Sequence, residues 1–373
     1  MSEKPFGSFF LPGPTEVRPE VLAAMSRPML AHRGKAFEDL FASCQSGLQA
    51  IFGTARPVYV GTCSATGFME AGIRNARPGR VLALVNGQFS ERFANIARAC
   101  GREVDEVRVE YGGGFDLAHV RRALGIRDHA LVTVVHSETS TGVLTDVHAV
   151  TALAHEHGAM CLIDGVTSVG AMRIDFDASE LDYVLTGSQK GLALPPGLAF
   201  AVASQRYIDA AAQVEHRGLY FDLVEYERFI QKNQTPNTPA VSLLYALQVQ
   251  MERILAEGVE ARYRRHAAMR DATVKWVGEA ARRLGIAMHV LAPEGQRSPT
   301  VTTIVLPAVI SPKALVSAVA IRGITIGGGL GPLAESTYRI GHMGEHTLDG
   351  LGKCLCAVEG ALMELTSNPA PSG

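Results

Sequence analysis

The chain has 373 residues, of which 47% are hydrophobic and 19% charged, and its formal net charge is −2. This length exceeds the size at which one hydrophobic core stops growing, so we expect two domains that share an interface. The apolar fraction is too high for a disordered chain, and no basic block suits a nucleic-acid backbone. Residues 1–8 lack the apolar core of a signal peptide and no apolar run is long enough to span a bilayer, so we expect a cytoplasmic protein without membrane contact.

Short apolar runs alternate with helix-like stretches between residues 57 and 203. The runs that we predict to be buried strands are Val58–Val60, Val81–Val85, Ala130–Val135, Met160–Ile163, Tyr183–Thr186 and Leu198–Val202. Amphipathic segments such as Ser90–Ala99 and Val147–His157 lie between several of them. Continuous apolar strands that alternate with helices predict an α/β fold with a mostly parallel, doubly wound sheet.

Small and polar residues follow these strands. They are Gly61-Thr62-Cys63-Ser64, Asn86-Gly87, His136-Ser137-Glu138-Thr139, Asp164-Gly165 and Gly187-Ser188-Gln189-Lys190. In open α/β sheets, ligands bind outside the carboxyl ends of the strands. We therefore expect the reactive side chains to gather at one edge of one sheet.

The C-terminal third begins with two predicted helices. Val241–Glu257 has helical periodicity and ends before Gly258, and an arginine-rich helix over Val259–Leu284 stops at Gly285. Beyond them, a strand over 301–306 is followed by Ser311-Pro312, which suits an N-cap and the first position of a helix. This pattern predicts a smaller α+β domain.

The six cysteines are spread along the chain. They are Cys44, Cys63, Cys100, Cys161, Cys354 and Cys356. In a cytoplasmic protein we expect reduced and mostly buried thiols. Cys354 and Cys356 fall in a predicted helix, where side chains two positions apart diverge, so we expect no metal site.

Lys190 is the first candidate for chemistry. It follows an apolar strand and precedes small residues and prolines, which predicts a partly desolvated amine. Desolvation lowers the pKa of an amine and makes it a competent nucleophile for a carbonyl. By position alone, a surface lysine in a loop explains the sequence at least as well.

Asp164 ends a strand 26 residues before Lys190, about one βαβ step. A buried carboxylate is costly unless it is paired with a cation, and a protonated ring nitrogen of a cofactor is such a partner. The alternative is a structural aspartate that caps a turn or a helix.

The segment Gly61–Gly67 precedes a helix-like stretch, Phe68–Asn75. Small residues and hydroxyls at a helix N-terminus suit a phosphate, which the backbone N–H groups and the helix dipole attract. The same segment can simply cap the helix.

Several motifs together carry a family resemblance. In chain order they are Leu11-Pro12-Gly13-Pro14-Thr15, Ser64-Ala65-Thr66, the run 136–142, Ile163-Asp164-Gly165, Gly187-Ser188-Gln189-Lys190, the run 329–332 and Tyr338-Arg339-Ile340-Gly341. This set resembles the class V aminotransferases of fold type I, which use pyridoxal 5′-phosphate (PLP), and among them the alanine–glyoxylate and serine–glyoxylate aminotransferases. The resemblance implies a large PLP-binding domain, a small C-terminal domain and a homodimer with shared active sites.

The resemblance also implies roles for matching residues. Lys190 would carry PLP as a Schiff base and shuttle a proton, Asp164 would pair with the pyridine nitrogen, and Thr139 would lie near the phenolic oxygen. Phe89 would stack on the ring, where some relatives have Trp. The residues implied at the phosphate are Ser64, Ala65 through its N–H, Thr66, Gln189 and, from the partner subunit, Thr238.

Substrate binding is implied for two further positions. Arg339 would hold the substrate α-carboxylate as a bidentate fork, and Gly13 would border the substrate. His32 and Arg33 either border the pocket or form an exposed polar turn. A Tyr that is common near Thr238 in the family is absent, which leaves that phosphate contact open. We assign residues 1–20 to a segment that lines the site, 21–257 to the large domain, and 258–373 to a linking helix with the small domain.

The expected reaction is a ping-pong transamination from alanine or serine to glyoxylate or pyruvate. A cysteine desulfurase or another class V lyase is the first alternative, but Gln189 stands where those enzymes usually have His, and residues 307–331 contain no Cys. A catalytically idle binding subunit is the second alternative, but Lys190, Asp164 and Arg339 are all present.

Overall fold

A computed structural model describes residues 6–367, so the outermost parts of the first and last proposed segments fall outside the described range. The described α-helices are α1 Pro19–Ala24, α2 Lys35–Phe52, α3 Ala65–Asn75, α4 Gln88–Ala99, α5 Leu117–Ile126, α6 Val147–Glu156, α7 Gln205–Ala211, α8 Leu223–Ile230, α9 Val241–Glu257, α10 Val259–Leu284, α11 Pro312–Ile321 and α12 Leu348–Ser367. The strands are β1 Phe9–Phe10, β2 Tyr59–Gly61, β3 Val81–Val85, β4 Val104–Arg108, β5 Leu131–Val135, β6 Ser137–Glu138, β7 Val143–Leu144, β8 Met160–Asp164, β9 Tyr183–Gly187, β10 Ala199–Ala203, β11 His289–Val290, β12 Val301–Val305, β13 Thr325–Gly328 and β14 Thr337–Gly341.

The larger sheet has the strand order β2-β10-β9-β8-β5-β3-β4. Its strands pair in parallel except that β10 runs antiparallel to both β2 and β9. The connection 188–198 contains no helix that could carry the chain back across the sheet, so β10 must return in the opposite direction. All six predicted strands are confirmed, with ends that differ by one residue at most.

The strand β4 is absent from the sequence-based prediction. It lies at the edge of the sheet, next to β3, and reads Val-Asp-Glu-Val-Arg with only Val107 buried. An edge strand meets solvent along one side, so it tolerates charged residues and lacks the continuous apolar run that marks a central strand.

The smaller sheet has the order β1-β13-β14-β12-β11. Strand β1 comes from the N-terminal segment and pairs in parallel with β13, so the start of the chain crosses to the C-terminal part of the fold. The predicted start of α11 is confirmed: Ser311 caps the helix by accepting a bond from the N–H of Ala314, and Pro312 occupies its first turn.

Each of these two sheets packs against a large hydrophobic core. The larger core draws its residues from between Val21 and Ile254, and the smaller contains Phe10 and residues between Met269 and Leu362. Helix α10 belongs to both regions: Arg262 in its first half donates to two carbonyls of the larger one, and Trp276 in its second half packs in the smaller core.

None of the helices within residues 6–367 combines the length and apolar character that a bilayer crossing needs. The six cysteines are all free: Cys44, Cys161 and Cys354 are buried, and Cys356 is exposed on α12. Within the same residues, no group of three or more His, Cys, Asp or Glu side chains is arranged to hold a metal ion.

Candidate active site

A cavity of about 210 Å³ lies at the carboxyl ends of β5, β8 and β9 and at the N-terminal ends of α3 and α4. The residues that we predicted from sequence and that line it are Ser64, Ala65, Thr66, Phe89, Thr139, Asp164, Gln189 and Lys190. The parallel strands explain this convergence, because their carboxyl ends meet at one edge of the sheet.

A larger pocket of about 380 Å³ lies at the other edge of the same sheet, beside the start of β9 and the end of β10. Its buried acid, Asp182, already accepts bonds from His155 and Arg206. The smaller cavity is therefore the better candidate site, since its charged groups do not satisfy one another in this way.

Lys190 is buried beside the N-terminal segment. Its Nζ donates a hydrogen bond to the carbonyl of Pro12, and its side chain is 8% exposed. Burial lowers the pKa of the amine to about 8, and the positive charge of Arg339 adds to that effect, while Asp164 opposes it. The lowered pKa increases the neutral fraction of the amine near physiological pH, and the neutral form is the one that a nucleophile requires.

Gly13 allows this close approach. Its φ is +112°, and a Cβ there would lie 2.3 Å from Lys190 Nζ, so a side chain at this position would displace the lysine. Thr15 holds the same segment in place, because its N–H donates to the carbonyl of Gln189 over 2.9 Å and its hydroxyl to that of Lys190 over 3.1 Å. Residues 12–15 therefore form one wall around the amine.

Asp164 is 3% exposed at the end of β8. Burial raises the pKa of its carboxyl to about 7. Its Oδ1 accepts a 2.8 Å bond from the N–H of Val166, as a turn-capping aspartate would. Among residues 6–367, however, no salt bridge joins it to a cation, so its charge has no direct partner in that part of the chain.

Ser64 and the start of α3 form another part of the cavity. Ser64 is the N-cap residue of α3, and its hydroxyl makes no capping bond. The first N–H groups of a helix have no intrahelical acceptors, and the helix dipole places partial positive charge there. This end of the cavity has the properties of an anion site.

Arg339 lies on β14 of the smaller sheet and contacts the cavity wall at Thr139, without lining the cavity itself. Its Nε donates to Gly328 over 2.8 Å and one terminal nitrogen donates to the carbonyl of Thr139 over 3.2 Å. The Thr139 hydroxyl lies 2.5 Å from that of Thr167. Burial lowers the pKa of Arg339 to about 10, and the charge of Glu138 opposes that shift. Within residues 6–367, Arg339 has no carboxylate in salt-bridge contact.

Thr238 lies outside this cavity. It is exposed and lines a small separate pocket together with Thr62 and Asn237. Arg33 donates to the carbonyls of Thr235 over 2.7 Å and Pro236 over 3.2 Å, so it is attached to the same segment and does not enter the cavity of its own chain. The role of Thr238 towards a partner subunit stays a prediction.

Two residues that sequence reasoning did not single out also belong to the site. Arg92 lines the cavity one helical turn after Phe89, with its guanidinium carbon 5.1 Å from the centre of that ring. Glu138 is completely buried behind the cavity wall. Glu138 belongs to a quoted motif and Arg92 follows a quoted position at helical spacing, so both had a signal in the sequence.

A buried lysine and a buried acid without a salt bridge within residues 6–367 share the carboxyl edge of this sheet, and Arg339 of the second sheet contacts the cavity wall; such a cluster is typical of an enzyme site. The family model for aminotransferase class-V matches residues 11–338. The chain therefore belongs to the class-V aminotransferases, and it is a transaminase, in agreement with the resemblance found in the sequence.

Individual relatives agree over nearly the whole length. The chain is 36% identical to an uncharacterized aminotransferase of Methanocaldococcus jannaschii over 97% of this chain and 94% of that one. It is 33% identical to a serine–glyoxylate aminotransferase of Methylorubrum extorquens, over 96% and 91%. The structure of an alanine–glyoxylate aminotransferase from a Nostoc species superposes with a TM-score of 0.88 at 31% identity, covering 96% of each chain. The expected fold class is confirmed.

Proposed function

We propose that this transaminase uses PLP, attached to Lys190, and moves an amino group from alanine or serine to glyoxylate or pyruvate by a ping-pong mechanism. The observation that carries the proposal is the pair Lys190 and Asp164 in one cavity: an amine whose pKa is lowered to about 8 and a buried acid without a cationic partner among residues 6–367. We further propose a cytoplasmic homodimer, which the free cysteines and the exposure of Thr238 itself support.

The residues present fit PLP. Asp164 offers a carboxylate to a protonated pyridine nitrogen, the open Ser64 hydroxyl and the start of α3 suit the phosphate, and Phe89 offers an aromatic face. Thr139 and Gln189 line the same cavity, near the expected phenolic oxygen and phosphate. When bound, PLP supplies an electron sink for the bonds at the amino-acid Cα.

Lys190 has two tasks under this proposal. It would carry the cofactor covalently, and as a free neutral amine it would accept the proton from the substrate Cα and give it back. The carbonyl of Pro12 and the close contact with Gly13 hold the amine within a narrow range of positions. Fixed geometry of this kind contributes a large part of the rate in proton transfer between bound groups.

Arg339 orients the substrate. Two of its nitrogens are fixed by the carbonyls of Gly328 and Thr139, which leaves part of the guanidinium for a carboxylate. Arginine presents a planar fork that binds a carboxylate through two bonds, and lysine does not. With the carboxylate held, the Cα–H bond can be presented to Lys190.

The proposed substrates draw on two of the relatives named above, whose names give serine or alanine as the donor and glyoxylate as the acceptor. Arg339 is the arginine that we assign to a substrate carboxylate, since the Arg92 guanidinium lies over the Phe89 ring, and one such arginine favours donors with small side chains. The desulfurase alternative needs a reactive cysteine, and none lines the described cavity. Cys63, which lies near the start of α3, has its pKa raised to about 12 by burial, so its thiol stays protonated.

The test is a set of half-reactions followed by absorbance. Purified protein should be yellow, and addition of alanine or serine should convert its visible band to the amine form, which glyoxylate or pyruvate then reverses. Aspartate, glutamate and cysteine serve as comparison donors. Protein that shows neither colour nor an amino-acid-induced change would support the idle binding subunit, and sulfide release from cysteine would support the desulfurase.

A further inference from the structure

Helix α4 begins without a capping side chain of its own. Its N-cap residue is Gly87, which has no side-chain acceptor, although the first N–H groups of a helix require partners outside the helix. The first turns of α4 carry Phe89 and Arg92, which both line the cavity. Whatever holds this helix start therefore decides where the Phe89 ring lies.

The carboxylate of Glu138, whose side chain is fully buried, caps the start of α4 instead. Its Oε2 accepts bonds from the N–H of Ser90 over 2.9 Å, from the Ser90 hydroxyl over 3.1 Å and from the N–H of Phe89 over 3.1 Å. The positive end of the helix dipole adds to this stabilisation of a carboxylate. A glycine at position 87 is required for the approach, because a Cβ there would lie 2.4 Å from the Glu138 carboxyl carbon.

The other oxygen of the same carboxylate binds Ser140, which follows Thr139 in the chain. Oε1 of Glu138 accepts bonds from the Ser140 hydroxyl over 2.6 Å and from the Ser140 N–H over 3.1 Å. The Ser140 hydroxyl also accepts a 3.1 Å bond from the N–H of Gln88 at the start of α4. Thr139, which lies between Glu138 and Ser140, lines the cavity and accepts a bond from Arg339.

We propose that Glu138 is a positioning residue for the transamination: its carboxylate joins the start of α4 to the Thr139 segment and so holds Phe89, Thr139 and Arg339 in one fixed arrangement around the cofactor. The inference rests on the proposed function, since it assigns Phe89 to the face of a bound PLP. Glu138 itself does not line the cavity and acts only through these neighbours.

The test compares holoenzymes of Glu138→Gln, Glu138→Asp and Asp182→Asn with the wild type. In the Gln variant the amide nitrogen cannot accept, so either the α4 bonds or the Ser140 bonds are lost. In the Asp variant the charge remains, but the side chain is one methylene too short to reach both partners. Asp182→Asn is the matched control, because Asp182 is a buried carboxylate at the far end of the same sheet.

The main measurement is the circular dichroism of the visible cofactor band per bound PLP, which reports how rigidly the chromophore is held. Both Glu138 variants should lose at least half of this signal, and their kcat/KM should fall about 10- to 100-fold, the scale of a misplacement near 1 Å. Asp182→Asn should keep the wild-type signal per bound cofactor. Ser140→Ala is a milder change in the same contact and should shift the signal in the same direction. It tests the proposal if the Glu138 variants do not fold.

Two results would overturn the positioning role. One is a wild-type signal and wild-type kcat/KM in folded Glu138→Gln, or in Ser140→Ala when the former does not fold. The other is full recovery in Glu138→Asp, which would make charge rather than position the cause. Failure of the proposed function looks different, because the wild-type protein itself would then show no cofactor band.

Discussion

Two buried aspartates of the larger sheet differ in whether the chain provides a cation as a partner for the carboxylate. Asp182, just before β9, is 1% exposed and accepts bonds from Arg206, His155 and the N–H of Cys161. Asp164, at the end of β8, is 3% exposed and accepts one bond, from Val166, with no salt bridge within residues 6–367. A buried charge is stable when it is paired and costly when it is not.

We interpret the difference as one between a structural carboxylate and the carboxylate that we propose to be functional. Asp182 stabilises the fold at the amino ends of the strands, where the chain supplies its partners. Asp164 lies at the carboxyl ends, where ligands bind, and its pKa is raised to about 7 by burial. The unpaired carboxylate destabilises the folded chain, and it lies at the position where a cationic ligand would pair with it.

The largest expected effect concerns the amine that shares the cavity with Asp164. Lys190→Ala should lower kcat by about 10²- to 10⁴-fold or more, because both the attachment point and the proton carrier are lost. Some PLP should still bind through the phosphate end of the site. Single-turnover kinetics with alanine and glyoxylate measure the loss, with the exposed Lys275→Ala as a control that should keep full activity. Full activity in Lys190→Ala would contradict the assignment.

Replacement of each aspartate by asparagine should change the free energy of unfolding of the apoprotein in opposite directions. Asp182→Asn should lower the free energy of unfolding by about 1–3 kcal/mol, since it weakens the bonds that this buried carboxylate accepts from His155, Arg206 and the N–H of Cys161. Asp164→Asn should raise it at pH 8, by up to about 4 kcal/mol, because it removes a buried charge that has no salt bridge within residues 6–367. The same variant should bind PLP more weakly. Denaturant unfolding of both variants, read at matched pH, measures the two changes.

The pH dependence of the Asp164→Asn effect follows from the direction of the shift. The pKa of Asp164 in the folded state is raised from 3.8 to about 7, so the wild-type protein loses stability from this group as pH rises between those values. The gain in the variant should therefore be largest at pH 8 and nearly absent at pH 4. A gain that is independent of pH would mean that burial of the charge is not its cause.

A substitution of Arg339 should have a smaller effect, on the binding of the amino donor and not on the binding of PLP. Arg339→Lys should raise the KM for the amino donor about 10- to 100-fold, because a lysine cannot form the two parallel bonds of the guanidinium. The affinity for PLP should change little, since Arg339 contacts the cavity through Thr139 and does not line it. Donor titrations and PLP titrations of the same variant distinguish the two, and equal losses in both would argue against a substrate role.

The smallest effect is a shift of a pH profile. The pKa of Lys190 is lowered from 10.5 to about 8, mainly by burial and next by the charge of Arg339, so its reaction with an aldehyde reagent in the apoprotein should accelerate as pH rises through about 8. Arg92 also lowers that pKa, so Arg92→Gln should move the midpoint slightly upwards. A midpoint near 10.5 in the wild-type protein would show that the amine is not buried.

Much of the fold and of the candidate site could be predicted from the sequence, because local patterns determine them. Continuous apolar runs marked the central strands, and Gly285 and Ser311 marked the end of one helix and the start of another. The position of a residue directly after a parallel strand is enough to place it at the ligand edge, which brought Asp164, Gln189 and Lys190 together. The edge strand β4 was missed because solvent on one side permits charged residues there.

Only the tertiary structure decided which of these residues have partners. The pairing of Asp182 and the isolation of Asp164 depend on side chains far away in sequence, and so does the contact of Lys190 with Pro12 and Gly13. The same holds for Glu138, whose role depends on a helix start 48 residues earlier. Sequence determines which groups are available, whereas the energy of a buried charge depends on its three-dimensional neighbours.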